Sequence, residues 1–120
     1  MRPHKKLDLW KRAIEFVLAI YRITEGFPKE EKFGLTSQLC RTAVSIAANI
    51  AKGAARTSSK EFLQFLSHSQ GSASEADTEL VIACRLGFLS QKEYETLDAD
   101  LDDIGRMLTG LSQSLRRKQA

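Results

Sequence analysis

A chain of 120 residues, 42% hydrophobic and 28% charged, has the length of one domain (1–120) and can bury about two thirds of the surface its unfolded form exposes. Its apolar runs are far too short to cross a bilayer, and its basic N-terminus continues into a charged amphipathic pattern rather than a leader, which argues against membrane and exported classes and for a cytoplasmic protein. The net charge of +3 is unevenly spread, with 12 Lys/Arg against 5 Asp/Glu in residues 1–60 and 6 against 10 in residues 61–120, so either the basic half meets an anionic partner such as nucleic acid or the two halves attract each other within and between subunits.

Four helices are predicted. The first runs from about Leu7 to Glu25, with Trp10, Ala13, Ile14, Val17, Ile20 and Tyr21 on one apolar face and Leu9, Phe16 and Ile23 extending it. Gly26 and Pro28 stop it, and Pro28 to Lys32 suit a short helical turn with early acids. Gly34 to Arg56 reads as an alanine-rich helix that Gly53 ends. Leu35, Leu39, Ala43, Ile46 and Ile50 recur at helical spacing, and Cys40, Val44, Ala47, Ala48 and Ala51 widen that face beyond what one core contact needs. Such an arc predicts packing on two sides, within the subunit and against another copy.

Ser58 and Glu61 have capping-box spacing and open a third helix that reaches about Leu86 before Gly87. Its inward face is Phe62, Phe65, Leu66, Ser69, Ala73, Ala76, Leu80, Ala83 and Gly87. Gly71 in its interior costs about 1 kcal/mol relative to Ala, which predicts a close contact there. After a second capping box at Ser90 and Glu93, the fourth helix carries Tyr94, Leu97, Leu101, Ile104, Leu108, Leu111 and Leu115 with alternating spacings of three and four. The tail Arg116–Ala120 is expected to fray. Short connections between long helices favour antiparallel neighbours, hence an all-α, up-down-up-down four-helix bundle.

No constellation of catalytic or metal-ligating residues emerges. His4 and His68 lack Glu-x-x-His partners, no Cys-x-x-Cys occurs, and Cys40 and Cys84 read as buried reduced thiols; neither an enzyme nor a cofactor is expected. Two groups deserve weighing. Arg41 and Glu75 lie in the polar middles of the second and third helices and are expected to pair, with Asn49, Gln70 and Ser72 completing a network that specifies fold or assembly, or else holds a small ligand. Basic residues cluster at Arg2, Lys5, Lys6, Lys11 and Arg12, at Lys52, Arg56 and Lys60, and at Arg116 to Lys118. Of these, Lys5, Lys6, Lys11, Arg12, Lys52, Arg56 and Lys60 are the candidate nucleic-acid contacts. Each cluster alone reads more readily as a set of solvated charges than as a binding site. Without an aromatic platform, any binding should be phosphate-directed and salt-sensitive.

The segments FPKEEKFGLTSQLCRTAVSIAANIAKG, SSKEFLQFLSHSQGSASE and LGFLSQKEYETL, in this order, resemble the bacterial four-helix-bundle family associated with intervening sequences of 23S ribosomal RNA genes. That family is similar to the accessory variability determinant of diversity-generating retroelements, which binds nucleic acid and a reverse transcriptase. The resemblance implies a homopentameric barrel with a central channel, and partners that include a second copy, RNA or DNA, and a reverse-transcriptase-like or other protein. It places Arg41, Ser45, Asn49 and Gly53 on the family's second-helix pattern and Gly71, Ser72 and Glu75 on its third. Lys52 stands where the family usually has Glu, making that surface more basic, and Ala47 stands where Pro is frequent, which should straighten the helix. The resulting expectation is a non-enzymatic oligomeric scaffold for nucleic acid or a nucleic-acid-processing enzyme; the alternative is a protein–protein adaptor with no nucleic-acid role.

Overall fold

Apolar residues at three- and four-residue spacing, punctuated by capping serines and glycines, become helices separated by short connections. The computed structural model describes residues 1–119, with a 3-10 turn at Pro3–Lys6, α1 at Asp8–Thr24, a second 3-10 turn at Lys29–Glu31, α2 at Leu35–Ala54, α3 at Ser59–Arg85 and α4 at Gln91–Gln119. No strand occurs among the described residues.

The helix ends follow from local chemistry. Ser58 Oγ accepts from the Glu61 backbone N–H at 3.1 Å. At the start of α4 the box is reciprocal: the Glu93 N–H donates to Ser90 Oγ at 3.0 Å and the Ser90 N–H to Glu93 Oε1 at 2.7 Å. These bonds satisfy donors that the first helical turn leaves unpaired. Gly34, which precedes α2, has no side chain to cap with, and Glu31 Oε1 accepts from the Leu35 N–H at 3.1 Å instead. α3 closes in a Schellman arrangement, Gly87 N–H to the Cys84 carbonyl and Phe88 N–H to the Ala83 carbonyl. Gly87 has φ +81°, a conformation that strains side-chain-bearing residues.

Each helix packs on its sequence neighbours, and α1 also packs on α4, so the four surround one core. The α2–α3 seam is the most extensive and α1–α4 the least. The protein measures 48 × 22 × 20 Å, and α4 alone, with 29 residues, extends about 43 Å at a helical rise of about 1.5 Å per residue. The long dimension is therefore one helix length. The core includes Phe16 and Ile20 of α1, Leu39, Ile46 and Ile50 of α2, Leu66 and Leu80 of α3, and Ile104 and Leu108 of α4, all inaccessible or nearly so.

Several expectations are corrected. The buried stripe of α1 is Leu9, Ala13, Phe16 and Ile20; Trp10, Ile14 and Val17 are half-buried, and Tyr21 is 50% exposed. Of the residues assigned to the edge of that face, Leu9 and Phe16 are buried and Ile23 is half-buried. Gly53 does not end α2, which continues through Ala54. It permits close approach: a Cβ there would stand 2.8 Å from Phe62 Cδ1 and 3.0 Å from Phe65 Cβ. Gly71, by contrast, has nothing within 4 Å of an added Cβ, so the subunit has no close contact there. Arg116–Gln119 continue α4 rather than fray, and Ala120 lies outside the described residues. The wide arc of α2 is only partly covered. Val44 is 42% exposed and lines a groove of about 220 Å³ with Trp10, Ile14, Val17, Ala47 and Ala48.

Candidate functional site

Where α2 and α3 face each other, the seam changes from apolar to polar. Ser69 of α3 is buried and donates to the Ile46 carbonyl at 2.7 Å. Farther along α2, Ser45 Oγ lies 2.9 Å from Ser72 Oγ and accepts from Asn49 Nδ2 at 3.1 Å. Asn49 Nδ2 also donates to the Ser45 carbonyl at 2.9 Å. Beyond that, the Thr42 hydroxyl directs its one proton toward the Gln38 carbonyl (2.8 Å) and Glu75 Oε2 (2.7 Å).

This polar stretch opens into a cleft of about 490 Å³ lined by Gln38, Arg41, Thr42, Ser45, Glu75 and Glu79. Glu75 and Glu79 are four residues apart on α3 and share one face. Glu79 is only 8% exposed, and its Oε1 has no hydrogen-bond partner. Burial holds its carboxyl above the ordinary value; the Thr42 hydroxyl acts in the opposite direction, and the charge of Glu75 raises it further.

The expected network is thus partly formed. Asn49, Ser72 and Glu75 take part, with Ser45. The Arg41–Glu75 ion pair does not form. Arg41 lines the same cleft, but no carboxylate of the described residues lies within 4.0 Å of it; the residue is exposed, and it is Thr42, one position on, that donates to Glu75 Oε2. Gln70 belongs to a different seam, donating to Thr109 Oγ1 of α4 at 3.3 Å. Sequence reasoning missed Thr42, Ser69 as a hydrogen-bond donor, and Glu79. The signal for Glu79 was present, since it falls between Ala76 and Ala83 at core spacing.

The basic candidates are placed as follows. Lys52 is exposed in the last turn of α2, Arg56 in the connection, and Lys60 in the first turn of α3. The Arg56 guanidinium lies over the Phe65 ring, 4.7 Å from its centroid, which holds the cation at the surface. Lys5 and Lys6 are exposed on the first 3-10 turn, which packs on both α1 and α2. Lys11 is exposed on α1. Arg12 is engaged internally, with Nη2 2.9 Å from Asp103 Oδ2 and 3.6 Å from Asp100 Oδ1. Asp103 also pairs with Arg106. Arg116 to Lys118 are exposed in the last turn of α4.

On the far side of α3, the Tyr94 hydroxyl donates to Asp77 Oδ1 at 2.8 Å. That bond, with burial and the charges of Asp77 and Asp98, pushes the phenol up to about 12. Among the described residues no three His, Cys, Asp or Glu side chains gather as a metal ion would require, and no helix is long and apolar enough to cross a membrane. Cys40 and Cys84 are half-buried and unbridged.

A family model described as 23S rRNA-intervening sequence protein matches residues 5–110. Among solved structures, the chain is similar to a protein with unknown function from the S23 ribosomal protein family of Bacteroides thetaiotaomicron. The two share 22% identity over 87% of this chain and 97% of that one, with a TM-score of 0.78. At that identity the likeness is one of fold. No curated protein matches the chain.

Proposed function

The chain belongs to the 23S rRNA-intervening sequence protein family, and on that premise we propose that it is a non-enzymatic, homo-oligomeric scaffold that binds the phosphate backbone of RNA or DNA at one end of its bundle. The helices alternate in direction in this reading. The pairings Thr42–Glu75 with Ser45–Ser72, and Tyr94–Asp77 with Gln70–Thr109, support it, because residue numbers rise on one helix as they fall on its neighbour; Thr24–Cys40 joins the end of α1 to the first half of α2, and Arg12–Asp103 joins the first half of α1 to the middle of α4. The start of α1, the end of α2, the start of α3 and the end of α4 then share an end.

The observation that carries the proposal is the charge at those four termini. In this arrangement Arg2, Lys5, Lys6, Lys11, Lys52, Arg56, Lys60 and Arg116 to Lys118, which lie at or beside those termini, fall at one pole with Asp8 and Glu61 opposing them. A field of one sign at one pole attracts a polyanion and scales with the number of copies arranged around an axis. Five subunits around a channel is the assembly proposed, its contacts drawn from the uncovered apolar arc of α2 at Val44 and Ala48 and the groove with Trp10. A nucleic-acid-processing enzyme on the same assembly is the proposed protein partner.

Electrophoretic shift of structured RNA and duplex DNA at graded salt tests the function. Replacing Lys52, Arg56 and Lys60 together by Ala should lower the slope of log affinity against log salt by up to about 3 for duplex DNA, one phosphate each. Absence of binding at low salt would refute the nucleic-acid role and leave the adaptor reading. Light scattering tests assembly independently, with the expected particle near five times the 13.4 kDa subunit.

A further inference from the structure

The uncovered apolar face of α2 is assigned to the proposed self-association, and acids of α3 and α4 engage Tyr94 and Arg12. The α2–α3 cleft has no such use. We infer that this cleft is a binding site for a small organic monocation with N–H donors, a primary ammonium or a guanidinium, seated on the carboxylates of Glu79 and Glu75.

The unpartnered Glu79 Oε1 carries the inference. Glu79 is more than nine-tenths buried and lines the cleft, yet nothing donates to this oxygen. A buried acceptor without a donor is costly, more so when ionised, and folded proteins rarely leave one unless something fills the place. The surroundings define the filler. An ionised carboxylate only accepts hydrogen bonds, so Glu75 and Glu79 call for a donor. The Thr42 proton is directed to Gln38 and Glu75, its influence on the Glu79 carboxyl still leaves Oε1 without a donor, and Ser45 is tied to Ser72 and Asn49.

Charge and size narrow the class. With both glutamates ionised and Arg41 protonated, the lining carries one net negative charge, matching a monocation. Two carboxylates fall short of the three-residue groups of metal-ligand type, none of which occurs among the described residues. The open cleft, of about 490 Å³, has room for a small organic molecule. An ammonium offers three N–H donors and a guanidinium five in a planar fork, and either suits two carboxylates on successive turns of one helix. The site is separate from the basic pole, so it stands or falls independently of nucleic-acid binding.

Titrating the 15N-labelled full chain with butylammonium, methylguanidinium and tetramethylammonium chlorides at constant ionic strength provides the test. Saturable amide shifts at Thr42, Ser45 and Glu79 with the first two cations, and none with tetramethylammonium, which has the charge but no N–H, are the expected result. Glu79→Gln should weaken binding about tenfold or more, the loss of a charge-assisted hydrogen bond. Glu75→Gln, at an exposed position, should weaken it in the same direction. Equal shifts from all three cations, or affinity unchanged by both substitutions, would overturn the assignment.

Discussion

Replacing Gly53 by Ala places a methyl group where the α2–α3 seam has no room for it. The new Cβ would meet Phe62 Cδ1 at 2.8 Å and Phe65 Cβ at 3.0 Å. The Phe62 ring can swing aside, since the residue is half-exposed, but Phe65 Cβ is anchored to the α3 backbone and moves only if the helix backs away. Overpacking of this kind costs about 1–3 kcal/mol, and the better helix propensity of Ala returns about 1 kcal/mol. The net is a destabilisation of about 1 kcal/mol by these two effects. For 120 residues that lowers Tm by about 4 °C, given an unfolding entropy of about 2.1 cal/mol/K per residue. Gly71→Ala is the control. It lies in the neighbouring helix interior with nothing within 4 Å of the added Cβ, so it gains the propensity and should raise Tm by about 4 °C. Thermal unfolding by far-UV circular dichroism, with both variants at the same protein concentration, reads the contrast. If Gly53→Ala melts at or above Gly71→Ala, the close approach at Gly53 does not constrain the seam as described.

Glu79→Gln should stabilise the protein at pH 7 and do so much less at pH 4. Burial raises the carboxyl above its ordinary value of 4.5, so the stability contributed by its protonated form is present below that value and lost as pH rises through the higher folded-state value; Tm measured between pH 4 and 8 checks the sign. Tyr94→Phe removes a hydrogen bond to Asp77 and should cost about 1 kcal/mol at neutral pH. Wild type then loses that advantage as pH climbs from 10 toward about 12, where the folded-state phenol ionises, and alkaline denaturation curves of the two proteins should converge. Arg12→Ala breaks a half-exposed ion pair with Asp103, so urea unfolding should show a loss of no more than about 1 kcal/mol, shrinking as salt is added.

The helices were legible because their signals are local. Ser58–Glu61, Ser90–Glu93 and Gly87 act within one turn, and the leucine ladder of α4 reports its buried side by spacing alone. What a helix packs against is not local. On α1, Tyr21 and Phe16 have comparable apolar weight, and only the positions of α2 and α4 decide that Phe16 is covered and Tyr21 exposed. Gly53 resembles a terminator in sequence, and its true constraint comes from two phenylalanines on the next helix. In the cleft, charge complementarity pointed to Arg41 with Glu75. The structure instead has the threonine at the adjacent position donating to Glu75, with Arg41 beyond ion-pair distance. Membership of the family and the four-helix architecture were accessible from three matched segments; the orphaned oxygen of Glu79 was visible only once both helices were in place.

The unequal seams of the bundle carry a consequence for how it opens. With α2 and α3 joined most extensively and α1 meeting α4 least, partial unfolding is expected to begin between α1 and α4, with the α2–α3 pair opening last. Amide protons around Ile46 and Leu66 should therefore exchange at the slowest rates in the chain, and those of the first turns of α1 well before them. The cleft residues sit on the α2–α3 pair and should keep their mutual geometry through such excursions, whereas Lys11 belongs to the helix expected to open first.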